Sequence, residues 1–92
     1  MIIDGHKSIE ELQELRYNYH KDIAQLEEMH SRLRERYSKL SEINDNRHIY
    51  ELLELTVDSL RSVEEALHKL HEADAGAEKL IELYQAYLKV EL

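Results

Sequence analysis

The sequence predicts an all-α fold, an antiparallel two-helix hairpin, and three observations carry that prediction. Pro is absent and Gly occurs only twice in 92 residues. Turn punctuation is therefore nearly missing, which excludes a β fold with its many turns. Much of the chain is Leu, Glu, Lys, Arg, Gln, Ala and Met, residues that favour helix. Apolar residues recur at steps of three and four, the repeat of one helix face.

The first helix is expected over about 9–43. Ser8-Ile9-Glu10-Glu11 reads as a capping box, in which the Ser8 hydroxyl accepts from the Glu11 N–H and Glu11 reaches back to the Ser8 N–H. In heptad terms Leu12, Tyr19, Leu26, Leu33 and Leu40 form the a column. The d column is Leu15, Asp22, Met29, Arg36 and Ile43. Where d turns polar, Ile23 and Tyr37 at e continue the stripe. Such a stripe is wider than a strict a/d seam and suits a globular bundle.

The pattern breaks at Asn44-Asp45-Asn46. Asn and Asp favour turns and N-caps, so 44–46 is the expected turn. A second helix then runs over about 47–90. Its stripe includes Ile49, Leu53, Thr56, Leu60, Val63 and Leu67, and continues through Leu70, Asp74, Ala77, Ile81, Tyr84 and Leu88. A flanking column of Leu52, Ser59, Ala66, Ala73, Leu80 and Tyr87 widens it. Gly76 is the one internal Gly, and is expected either where another helix packs closely or where the helix kinks or breaks.

A short turn makes the helices antiparallel neighbours. Residues whose numbers sum to about 90 then face each other. This places Arg16 near Asp74, and Asp22 near His68 and Lys69. Helix 1, starting near Ile9, would reach only as far as Ile81. The last ten or so residues would then have only the first eight opposite them.

Composition excludes several functions. Without Cys there is no disulfide framework and no thiolate nucleophile. Twelve Lys and Arg against 20 Asp and Glu give a formal charge of −8, which disfavours nucleic acid and anionic membrane surfaces. No apolar run approaches the roughly 18 residues of a membrane span, and the opening Met1-Ile2-Ile3-Asp4-Gly5 lacks signal-peptide features. One domain is expected at this length.

Catalysis and metal chemistry find little support. Glu27/His30 and Glu65/His68 have the Glu-x-x-His spacing of bundle metal sites. The register turns Glu27, Glu65 and His68 outward, away from any core site. His68 and His71, flanked by Glu64 and Glu72, could at most hold a weak surface zinc. No Ser sits on a turn that would expose it to a base. No Gly-rich loop could cradle a phosphate. The chain is therefore expected not to be an enzyme and to need no cofactor. Arg32, Arg34, Arg36, Lys39 and Arg47 form a basic cluster in an acidic chain. It reads as a solvated helix surface, with a docking patch for an acidic partner as the alternative.

Two helices meet along one line, so part of each stripe stays uncovered and asks for a partner. Two hairpins packed face to face would complete a four-helix bundle, with a second copy or a different chain. The expected partner-binding residues are Leu26 and Leu33 on the first helix, and Leu60 and Leu67 on the second. Leu83, Tyr84, Tyr87, Leu88 and Glu91 add a Tyr-rich apolar end.

The size, the two-helix plan and Tyr87-Leu88-Lys89-Val90-Glu91 resemble the small helical hairpins of bacterial type VII (ESX) secretion. Those are the Trp-Xaa-Gly family and the adaptors of its toxin substrates. The resemblance implies dimeric four-helix bundles and a Tyr-x-x-x-Asp/Glu signal after the second helix, here Tyr87 and Glu91. Tyr50 and Glu54 share the spacing, and position favours Tyr87. The turn holds neither Trp nor Gly, which points toward the adaptor-type relatives.

The sequence thus leads to a non-catalytic interaction module that binds a helical segment of a secretion substrate. The alternative is a small acidic regulatory or inhibitory protein, antitoxin-like or phage-encoded, that docks on a target. Expected partners are proteins only, without nucleic acid, membrane span or small-molecule substrate. The expected location is the cytoplasm, with export by a signal-peptide-independent route left open.

Overall fold

A computed structural model describes residues 4–43 and 47–91, with side chains for 4–43 and 48–89. The chain is an all-α hairpin of two helices, α1 at Gly5–Ser41 and α2 at Arg47–Glu91. The described residues contain no strand. The turn expected at 44–46 lies outside the described residues.

Helix α1 begins four residues earlier than its capping box suggested. Asp4 is the N-cap: its Oδ1 accepts from the Lys7 N–H at 3.1 Å. The first intrahelical bond runs from the Ser8 N–H to the Asp4 carbonyl at 3.0 Å. An Asp three residues before a free N–H satisfies one of the four orphan donors of a helix start. Ser8 already lies inside the helix, so its capping role is overturned.

At its other end α1 tightens. The Glu42 N–H reaches the Lys39 carbonyl at 3.3 Å, and the Ile43 N–H reaches Leu40 at 3.1 Å. These three-residue bonds occupy carbonyls that an α-turn would leave open. The Ser41 hydroxyl donates to the Ser38 carbonyl at 2.7 Å. Lys39 in the last turn complements the negative helix end.

Helix α2 continues through Gly76 without a break. A Cβ built on Gly76 would meet nothing within 4 Å. The expectation of a close helix contact there is therefore wrong, as is that of a third helix. The buried small residue is the neighbouring Ala77.

Both helices run through two compact units. One comprises residues up to Ile23 with those from Leu70 onward, and the other is Ala24–Lys69. In the first unit Ile23, Ala77 and Ile81 are buried. Gly5 is buried too, and a Cβ on it would lie 3.0 Å from Leu88 Cδ2. The early start of α1 thus gives Leu88 a neighbour, and the uncovered end of α2 is shorter than expected. In the second unit Val63 and Thr56 are buried. The Thr56 hydroxyl donates to the Leu52 carbonyl at 2.7 Å, so its burial leaves no orphan donor. Among the described residues no large side chain is fully buried, as expected where two helices share one line of contact.

Candidate interaction surface

The polar contacts across the helices set the register first. In the unit that includes both chain ends, Arg16 Nε donates to Asp74 Oδ1 at 2.8 Å and Nη2 donates to Oδ2 at 3.4 Å. Arg16 also lies 3.7 Å from Glu78. His20 Nε2 is 2.9 Å from Asp74 Oδ2, and because an ionised carboxylate can only accept, the ring nitrogen carries the proton. A carboxylate within an apolar stripe is costly unpaired, and Asp74 accepts from both Arg16 and His20 of the facing helix. The Arg16 hydrogen bond is the main reason that the Asp74 carboxyl is held down at about 2, against an ordinary 3.8. Partial burial opposes that shift, and the His20 hydrogen bond adds to it.

The Ala24–Lys69 unit has a weaker counterpart. His30 Nε2 lies 3.0 Å from Glu64 Oε1. The Arg32–Glu28 and Lys39–Glu35 pairs run along α1 at i,i+4 spacing, and each is worth a few tenths of a kcal/mol. Two members of the basic cluster are therefore engaged with acids of their own helix, as a solvated surface would have them. Asp22, the other acid of the stripes, is exposed.

The expected partner-binding residues divide. Leu83 and Tyr87 are 55% and 42% exposed. With Leu80 and half-buried Tyr84 they line an open groove of about 240 Å³. Leu88 is half-buried and adjoins Gly5. Glu91 ends α2, and its side chain is outside the described residues. Leu26, Leu33, Leu60 and Leu67 are all half-buried, so they give less area to a partner than Leu83 does.

Several large apolar residues are more open than those four leucines. Leu55 is 63% exposed and Met29 is 50% exposed. Both line a second groove with Leu33, Ser59, Ser62 and Val63, inside the Ala24–Lys69 unit. Leu15 and Leu80 share the lining of a third groove beside Ser8 and Tyr84. Leu52 belongs to the same open class. Sequence reasoning had Leu52 and Leu80 in a column that widened the stripe, and did not single out Leu55. The missed signal is spacing: Leu52/Leu55 and Leu80/Leu83 are two copies of one three-residue step.

The His residues do not gather. Among the described residues no group of three or more His, Asp or Glu could hold a metal ion. Glu27, Glu65 and His68 are exposed, and His30 faces Glu64 rather than Glu27. No helix of the described residues is long and apolar enough to cross a membrane. No protein-family model matches the chain, and neither a curated protein nor a solved structure matches it.

Proposed function

We propose that this chain is a non-catalytic interaction module that works by docking a helix face on a partner protein. The observation that carries the reading is the open apolar groove of Leu80, Leu83, Tyr84 and Tyr87. Tyr supplies large contact area at low entropy cost and is enriched where binding energy concentrates.

The partner would be a helical segment of a type VII secretion substrate, and this chain its adaptor. Supporting that identity are the hairpin plan and the Tyr87 and Glu91 spacing, which falls within the last turns of α2 rather than after the helix. Tyr50 and Glu54, which share the spacing, are both exposed in the first turns. The test is co-expression with a helical substrate in a secreting host. Truncation after Leu83 is expected to abolish secretion of that substrate, and unchanged secretion removes the targeting role. Leu80→Asp with Leu83→Asp is expected to abolish capture of the partner helix. Unchanged capture overturns docking through this groove.

A further inference from the structure

We infer that the Ala24–Lys69 unit carries a docking groove of its own, and that this groove takes an amphipathic helix of another protein with carboxylates along one edge. The groove runs between α1 and α2 and holds about 510 Å³. Met29, Leu33, Leu55 and Val63 supply its apolar lining, and Asp58 stands beside them on α2. Met29 and Leu55 are 50% and 63% exposed, so the apolar lining is open to a partner. All of these residues belong to the one compact unit. The inference goes beyond the groove of Leu80 and Leu83 and uses none of its residues.

The charges at the two rims identify the occupant. Met29, Leu33 and Arg36 follow one another on α1 at steps of four and three, so Arg36 continues the row that lines the groove. Arg32, Arg36 and Lys39 line the adjoining surface of α1. On the other rim, Asp58 lies six residues before Glu64, and Arg36 lies six after His30. Because His30 meets Glu64 across the helices, the antiparallel register brings Arg36 and Asp58 to one level of the hairpin. Both are exposed. Arg32 and Lys39 are paired with Glu28 and Glu35, whereas neither Arg36 nor Asp58 has an ion pair with a described residue.

Two unpaired charges of opposite sign thus flank one apolar groove. A helix seated with its apolar face down presents one edge to each rim, carboxylates towards Arg36 and a cation towards Asp58. Arg32, Arg36 and Lys39 recur at steps of four and three, which suits carboxylates at the same spacing along the partner's edge. The planar fork of Arg matches a carboxylate with two parallel hydrogen bonds.

The reach of the patch selects a short acidic helix over a long polyanion. Positions 32–39 hold Arg32, Arg34, Arg36 and Lys39 against the single acid Glu35, in a chain of formal charge −8. Salt limits the field of exposed charges to about 8 Å. A helix confined to this groove therefore meets the local cations, whereas a nucleic acid also runs past the acidic remainder of the surface.

The test uses the full chain and a labelled helical peptide of about 20 residues, with Leu along one face and Glu at i, i+4 and i+7 along its edge. Fluorescence anisotropy is expected to show at least tenfold weaker binding when Gln replaces those Glu. Binding of the acidic peptide is expected to weaken as salt rises from about 50 to about 300 mM. Arg32→Glu with Arg36→Glu is expected to cost at least tenfold, and Leu55→Asp a similar factor. A peptide with Lys in place of Glu is expected to bind the Arg32→Glu, Arg36→Glu chain better than the acidic peptide does, a reversal that an unfolded variant could not give. Leu80→Asp with Leu83→Asp is expected to leave peptide binding unchanged, which keeps failure of this groove distinct from failure of the other. Equal binding of the Glu and Gln peptides, no binding at about 100 µM, or loss in the Leu80→Asp, Leu83→Asp chain overturns the proposal. Tighter binding of a short DNA duplex through the same arginines assigns the patch to phosphate and overturns it too. So does a dimer in light scattering that Arg36→Glu abolishes, since a second copy would then fill the groove.

Discussion

Arg16 and Asp74, 58 residues apart in sequence, join α1 to α2 through a guanidinium–carboxylate pair at 2.8 Å. The pair ties one turn of each helix to a fixed register, because a one-turn slip of about 5.4 Å would separate the groups. It is only partly screened, with side chains 29% and 15% exposed. Asp74→Asn is expected to lower unfolding free energy by about 1 kcal/mol, the upper end for exposed pairs. Urea denaturation followed by circular dichroism measures it. An unchanged midpoint would show that the pair adds no net stability.

The same contact sets a pH window. A carboxyl depressed on folding binds fewer protons folded than unfolded over the interval between its two values. Its stabilisation is therefore complete above about pH 4 and is lost as pH falls towards about 2. The wild-type chain should lose stability more steeply through that window than Asp74→Asn does. Thermal melts of both at pH 6, 4 and 3 compare the slopes. Parallel curves would assign the acid response to other carboxylates.

Gly76 lies in an uninterrupted helix with open space where a Cβ would stand. Nothing there requires Gly, so Gly76→Ala is expected to stabilise by about 1 kcal/mol, its full propensity difference. Gly5 is the opposite case, since its Cβ would come within 3.0 Å of Leu88. Gly5→Ala should gain less than Gly76→Ala in the same urea titration. Equal gains would mean that Leu88 yields without cost.

Asp4 and Ser8 compete for the role of cap, and geometry favours Asp4. Asp4→Ala is expected to cost about 1 kcal/mol, and Ser8→Ala within about 0.5 kcal/mol. Amide exchange at Lys7 should accelerate in Asp4→Ala alone. The reverse order of effects would restore the Ser8 capping box.

How much of this was legible varies by residue. The Arg16–Asp74 contact was readable because Asp74 interrupts the apolar stripe of α2, and the antiparallel register, with numbers summing to about 90, sets Arg16 opposite it. His20 as a second donor to Asp74 was not, because it lies outside the stripe and its reach depends on rotamer. The Asp4 cap was masked by a better sequence pattern four residues on. A capping box is a local motif, and whether a helix extends past it depends on what the extra turn can pack against. Here that is Leu88, 83 positions away.

Sequence alone determined the class, the two helices and their antiparallel order, because period and the lack of Pro depend on neighbours along the chain. Tertiary structure alone decided which apolar face is buried and which stays open. Leu80 and Ile81 are adjacent and equally apolar, yet Ile81 is buried and Leu80 is 47% exposed. Two helices share one line of contact, so a stripe wider than that line is divided by the crossing geometry, which no single helix contains.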